Sequence, residues 1–213
     1  MENRVLGLHH VTAISSDPQR TIDFYTQILG LRLVKLTVNF DDPSTYHLYF
    51  GDEQGNPGTI LTFFAWPGQP AGRKGTGQLT STSFSIPKNS LDYWKQRLAS
   101  KGISSNASGR RFGDPVLSFH DNDGQGLELV ESADDLRIGW RRGPVPKEHA
   151  VKGFHDVTLS EENLEHTESV LVDTLGFHLK EEENDRFRYE VGNGTGGTVV
   201  DVLSMPGSER GFV

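Results

Sequence analysis

Residues 7–15, GLHHVTAIS, form a mostly apolar, β-branched stretch. This predicts a strand that carries two adjacent histidines, His9 and His10. Strict alternation turns those two rings to opposite faces of a sheet. The next segment, DPQRTIDFYTQILG, changes to helical spacing. Asp17 is placed to cap a helix and Pro18 suits its first position. Ile22, Tyr25 and the Ile28/Leu29 pair form an apolar stripe, and Gly30 ends it.

The pattern then recurs. GFHDVTLSE at 153–161 repeats GLHHVTAIS, and GTVVDVLSMPG at 197–207 repeats GTILTFFAWPG at 58–68. Between the later pair, NLEHTESVLVDTLGF is a second helix with Leu164, Leu171 and Leu175 on one face and Gly176 at its end. A weaker copy lies in the middle of the chain. LTSTSFSIP (79–87) reads as a strand, and SLDYWKQRLASKG (90–102) as a helix with Leu91, Trp94 and Leu98 inward. GDPVLSFHDNDGQGLELVE (113–131) reads as two strands about a Gly-rich turn.

Each unit is thus βαβββ, over 5–68, 78–133 and 151–207. The fold class this predicts is α+β, with repeated βαβββ modules whose curved mixed sheets pair. One such unit alone has a bare sheet edge and a half-covered concave face. Units one and two are expected to pair as an N-terminal domain over 1–135, with a Gly/Pro-rich, charged linker at 136–150. The third unit, in 151–213, is then half of a C-terminal domain, completed by a fourth unit or by another chain, which makes a homo-oligomer an expectation.

Charge and composition narrow the chemistry. A formal net charge of −8 argues against nucleic acid or an anionic membrane as partner. Cysteine is absent, which removes disulfides, thiolate zinc sites, iron–sulfur clusters and thiol nucleophiles, and leaves His, Asp and Glu as metal ligands. MENRVLG has no apolar core of a signal peptide, and no apolar run reaches the roughly 18 residues of a membrane span, so the expected location is the cytoplasm.

Paired βαβββ units that open on a strand histidine resemble the vicinal oxygen chelate superfamily, which holds glyoxalase I, bleomycin-resistance proteins and extradiol dioxygenases. LHHVTAISSDPQRTIDFYTQILGLRLVKLTVNFDDPSTYHLYFGDEQGNPGT and GRKGTGQLTSTSFSIPKNSLDYW resemble, more narrowly, the ring-cleaving dioxygenases of hydroquinones. That resemblance covers essentially the whole chain. It implies an Fe(II) site, with Mn(II) as the alternative ion, acting on a small aromatic substrate and O2. It implies that His10 is a metal ligand and that His9 and Thr12 lie beside the substrate. It also implies a second His and a Glu from a fourth module, so the chain reads as a truncated form. For His9, His10 and Thr12 to share one site, the strand has to twist or bulge.

Aligning the repeats puts His10 and Thr62, Thr82 and Glu128, and Asp156 and Asp201 at the two ligand positions of each unit. His10 and Glu128 alone are too few for a tight transition-metal site. Glu128, Asp156 and Asp201 are therefore expected to be strand-end or turn carboxylates in water, and His47 a packed strand histidine. His120, His149, His166 and His178 carry no signal. Phe40, Tyr46, Tyr49, Phe63 and Phe64 are the aromatic candidates for pocket walls. A glyoxalase-type metal-dependent lyase and a metal-free binding protein of the bleomycin-resistance kind are the alternatives.

Overall fold

A computed structural model describes residues 5–106, 109–192, 194 and 196–212. The first unit runs β1 (His10–Ser15), α1 (Pro18–Asp23, continued as a π-helical turn over Phe24–Ile28), β2 (Arg32–Val38), β3 (Tyr46–Gly51) and β4 (Ile60–Ala65). The second runs β5 (Gln78–Ile86), α2 (Leu91–Ser100), β6 (Gly109–Arg111), β7 (Asp114–His120) and β8 (Gly126–Glu131). The third runs β9 (Gly153–Glu161), α3 (Leu164–Ser169, continued as a π-helical turn over Val170–Thr174), β10 (His178–Glu183), β11 (Arg186–Glu190) and β12 (Val199–Ser204). Three βαβββ units are present, as the repeats predict.

The local signals act where the sequence places them. The Asp17 side chain accepts a hydrogen bond from the Arg20 amide at 3.0 Å, with Pro18 behind it, and Asn163 caps α3 in the same way. Gly30, Gly102 and Gly176 end their helices at φ of 70°, 74° and 76°, a region open to glycine. Tyr25, Leu29, Leu91, Trp94 and Leu98 are buried as predicted. Leu175 is the exception and faces solvent. Its amide bonds to the Val170 carbonyl, one residue further back than in an α-helix. The π turn inserts a residue and rotates Leu175 off the stripe, and Phe177 takes the buried place.

Two sheets result. Unit one forms a four-stranded sheet in the order β1-β4-β3-β2. Units two and three share an eight-stranded sheet, β10-β11-β12-β9-β5-β8-β7-β6, joined where the opening strands β5 and β9 run antiparallel. This sheet crosses from the 1–135 segment into the 151–213 segment. Unit one meets unit two through side chains: Arg97 of α2 donates to the Ile28 and Gln27 carbonyls, and the Tyr25 hydroxyl to Asp121. One apolar core spans all three units, with Phe63, Trp94 and Phe154 all buried in it.

Units one and three meet reciprocally. The Leu8 amide donates to the Gly197 carbonyl at 2.7 Å, and the Phe154 amide to the Gly58 carbonyl at 2.8 Å. Within each unit the matching bond closes the last strand onto the first: Gly58 amide to the His9 carbonyl, and Gly197 amide to the His155 carbonyl. Leu8 and Gly58 occupy in unit one the places of Phe154 and Gly197 in unit three.

Candidate active site

Unit one presents two unlike faces. Val11, Ala13, Leu61, Phe63, Leu48 and Phe50 point into the core. The alternate residues of the same strands form the opposite face. Pairing sets Thr12 beside Thr62, Thr62 beside Tyr49, and Tyr49 beside Lys35; the neighbouring row runs Ile14, Phe64, His47. Thr62 Oγ1 bonds Thr12 Oγ1 at 2.9 Å. The His47 ring lies 4.1 Å from Phe64 and 4.3 Å from Tyr49, centroid to centroid, and its Nδ1 is 3.1 Å from the Tyr49 hydroxyl. Its buried Nε2 has no hydrogen-bond partner among the described residues. Burial, then the charges of Lys35 and His10, push the His47 pKa down. His47 is thus a packed strand histidine, as expected, on the face that also carries His10.

His9 and His10 are both exposed. His9 lies just ahead of β1, where strict alternation no longer binds it. The two imidazoles come together, Nδ1 to Nδ1 at 3.1 Å, with the rings edge to face. One Nδ1 donates to the other, which leaves the Nε2 atom of one ring free as a lone-pair donor. Unit three makes the corresponding contact at a bulge in β9. Asp156 there pairs with Ser83 and Phe154 with Phe84, so His155 between them is the extra residue of a β-bulge. His155 Nδ1 then lies 2.6 Å from Asp156 Oδ2, the same contact between neighbours that His9 makes with His10.

The sheet register corrects one equivalence. His10 pairs with Ile60 and Thr12 with Thr62; in unit two Ser81 pairs with Gly126 and Ser83 with Glu128. Ser81, not Thr82, is the counterpart of His10. Thr82 points to the opposite, core side, since a slip of one residue exchanges the faces of a strand.

A second correction concerns Glu128, Asp156 and Asp201. They are not in water but buried beneath the eight-stranded sheet in a network of ions. Ser83 Oγ bridges Glu128 at 2.8 Å and Asp156 at 2.9 Å, Arg111 forks onto both Glu128 oxygens, and Arg188 forks onto Asp201. Burial raises the Glu128 and Asp156 pKa values, but Arg111 for the first and His155 for the second, with Arg188 and Arg111, hold both below the ordinary carboxylate range. Asp201 goes the other way, pushed up by burial and by the charge of Asp156. Where unit one has Tyr49 and His47, unit three has Arg188 and Arg186, so arginines fill this second cup. Among the described residues no three His, Asp or Glu side chains are grouped to hold a metal.

These repeats, this topology and the histidine-led strand define a protein of paired βαβββ units. The family description Glyoxalase/Bleomycin resistance protein/Dioxygenase superfamily matches residues 7–129, and the chain belongs to that superfamily. It is 42% identical over 206 residues to MhqO of Bacillus subtilis, assigned as a ring-cleaving dioxygenase. It is 35% identical over 208 residues to the chlorohydroquinone/hydroquinone 1,2-dioxygenase of Sphingobium indicum. The chain spans 65% and 64% of the lengths of those two relatives, respectively, while they cover 97% and 95% of it. A crystal structure assigned as a dioxygenase from Bacillus subtilis superposes with a TM-score of 0.91 at 42% identity, over 98% of this chain and 66% of that one. Glyoxalase I of Zea mays superposes at 0.70 and 20% identity, over 96% of this chain and 70% of that one, and shares the fold.

Proposed function

We propose that this chain is part of an Fe(II)-dependent dioxygenase that opens a hydroquinone-type ring. The names of its relatives at 35–42% identity support the reaction. The observation that carries the site is the exposed His9–His10 pair on a sheet face lined by Thr12, Thr62, Tyr49 and Phe64. His10 is the proposed iron ligand, with Mn(II) as the alternative ion. Its remaining partners, a His and a Glu, are proposed to come from a further βαβββ unit seated against β1. Ferrous iron held by two imidazoles and one carboxylate supplies open positions where a phenolic oxygen and O2 can meet.

The chain's own residues account for the rest of the proposed site. His9 is the proposed acid–base group beside the substrate, and its contact with His10 also orients that ligand. The Thr12 hydroxyl, held by Thr62, is within the same face to bond a ring oxygen. Tyr49, His47 and Phe64 give flat apolar walls against which an aromatic ring can stack. A cytoplasmic location agrees with the absence, among the described residues, of any helix long and apolar enough to cross a membrane.

Support for a docked unit comes from the edges. β1 (HVTAIS) ends its sheet and carries no Asp, Glu, Lys or Arg. The other sheet ends are guarded: β2 by Arg32, Lys35 and a bulge, β10 by KEEE, and β6 by its three-residue length and two arginines. Oxygen uptake with hydroquinone under reduced iron tests the function. The chain alone should turn over little; the chain joined to the remaining third of MhqO should bind iron and consume oxygen. Robust turnover by the chain alone would assign the site to other residues. No turnover by the joined chain, with iron bound, would refute the reaction.

A further inference from the structure

Where units one and three meet, a guanidinium from the linker is built into the backbone. Arg137 Nη1 donates to the Gly58 carbonyl at 3.0 Å and Nη2 to the Phe154 carbonyl at 2.5 Å. Asp135, its carboxylate buried, grips the same guanidinium through Nε and Nη2 at 2.9 and 2.6 Å. Space for the head group is made by omitting side chains. A Cβ on Gly153 would stand 2.6 Å from Nη1, and one on Gly196 would overlap Nη2. Gly153 also lies at φ 146°, where other residues are strained.

We infer that Arg137 is a positioning residue for the His9–His10 pair. Both rings are exposed, so side-chain packing does not hold them; their backbone does. The His9 carbonyl is bonded by the Gly58 amide, and the Gly58 carbonyl is bonded in turn by Arg137 and the Phe154 amide. Fixing Gly58 at both its amide and its carbonyl fixes how His9 leads into β1, and so whether its Nδ1 meets that of His10. The second arm of the fork does the same for the Phe154–His155 peptide, which precedes the His155–Asp156 contact. One planar cation thereby holds both the peptide ahead of β1, through Gly58, and the bulge in β9. Lysine keeps the charge but lacks the planar fork that reaches both carbonyls and the Asp135 carboxylate at once.

The inference rests on the proposed role of this pair, but its test needs neither iron nor oxygen. Histidine ring nitrogens are observed by long-range proton–nitrogen NMR on the 213-residue chain at a pH of about 8, where imidazoles are neutral. In the wild type, one of His9 and His10 should be the Nδ1–H tautomer that the 3.1 Å contact demands. In R137Q and R137K that ring should revert to mostly Nε2–H. Leu98→Ala, a core substitution in α2 outside every bond that Arg137 makes, should lower the melting temperature and leave the tautomers as they are. Folded R137Q and R137K with the tautomer unchanged would overturn the proposal. So would a wild type with no Nδ1–H ring at either histidine, or loss of the fold in both variants, which would assign Arg137 to stability alone. A failed oxygen-uptake assay leaves this result standing, because no turnover enters it.

Discussion

Arg111 and Glu128 face each other 17 positions apart in sequence, both largely buried, in a bidentate pair with oxygen–nitrogen distances of 2.5 Å. Removing one partner leaves the other charge buried without compensation. Arg111→Ala is expected to cost roughly 3–5 kcal/mol, read from urea unfolding, while an exposed pair such as Lys95–Asp92 should contribute at most about 1 kcal/mol. The pH dependence follows from the direction of each shift. Glu128 and Asp156 are held below their ordinary values of 4.5 and 3.8, so their contribution is present above those values and is lost as pH falls toward the folded ones. Asp201 is raised, so its contribution is present below 3.8 and is lost as pH rises through the folded value. Glu128→Gln should therefore flatten the acid limb of the stability curve. An unchanged acid slope would show that Glu128 is not held ionised by Arg111. None of these ion pairs was legible in sequence, because an isolated strand carboxylate looks the same whether water or an arginine from another strand faces it.

At the scale of elements, β1 and β9 are equivalent strands in unlike circumstances. The Gly58 and Trp66 amides bond the His9 and Ser15 carbonyls, so the backbone groups of odd-numbered residues in β1 turn toward β4. Those of His10, Thr12 and Ile14 turn toward the open edge. In β9 the same positions, Asp156, Thr158 and Ser160, are covered by β5. Amide exchange should be orders of magnitude faster at His10, Thr12 and Ile14 than at those counterparts. Equal protection would mean that the β1 edge is covered in solution. Most elements were readable from period and punctuation: Asp17, Pro18, Gly30 and Gly102 each act as their chemistry dictates. The π turns were not, since nothing in VLVDT marks the inserted residue, and Leu175 was misplaced for that reason.

At the scale of the molecule, the repeat and its three βαβββ units were visible because two landmark strands share residues at matching spacings. Which units share a sheet was not visible. All three opening strands are β-prone, and chain order favours neighbours, yet β5 pairs with β9 and leaves β1 at a sheet edge. Of the candidate site, His10 and Thr12 were placed on one face by alternation alone. The approach of His9 depends on where the strand begins, which hydrophobic pattern does not fix. Tyr49 and His47 joined that face only through pairing with β4.

In the proposed site, His10 binds the metal and His9 handles protons beside it. The direct measurement is iron content, with turnover, in the chain joined to the remaining third of MhqO, carrying either His10→Ala or His9→Ala. His10→Ala should lose its iron, because affinity falls steeply with ligand count. His9→Ala should keep its iron and cleave the ring roughly 100-fold more slowly, the scale for losing an acid–base group. Full iron occupancy in His10→Ala would contradict the account.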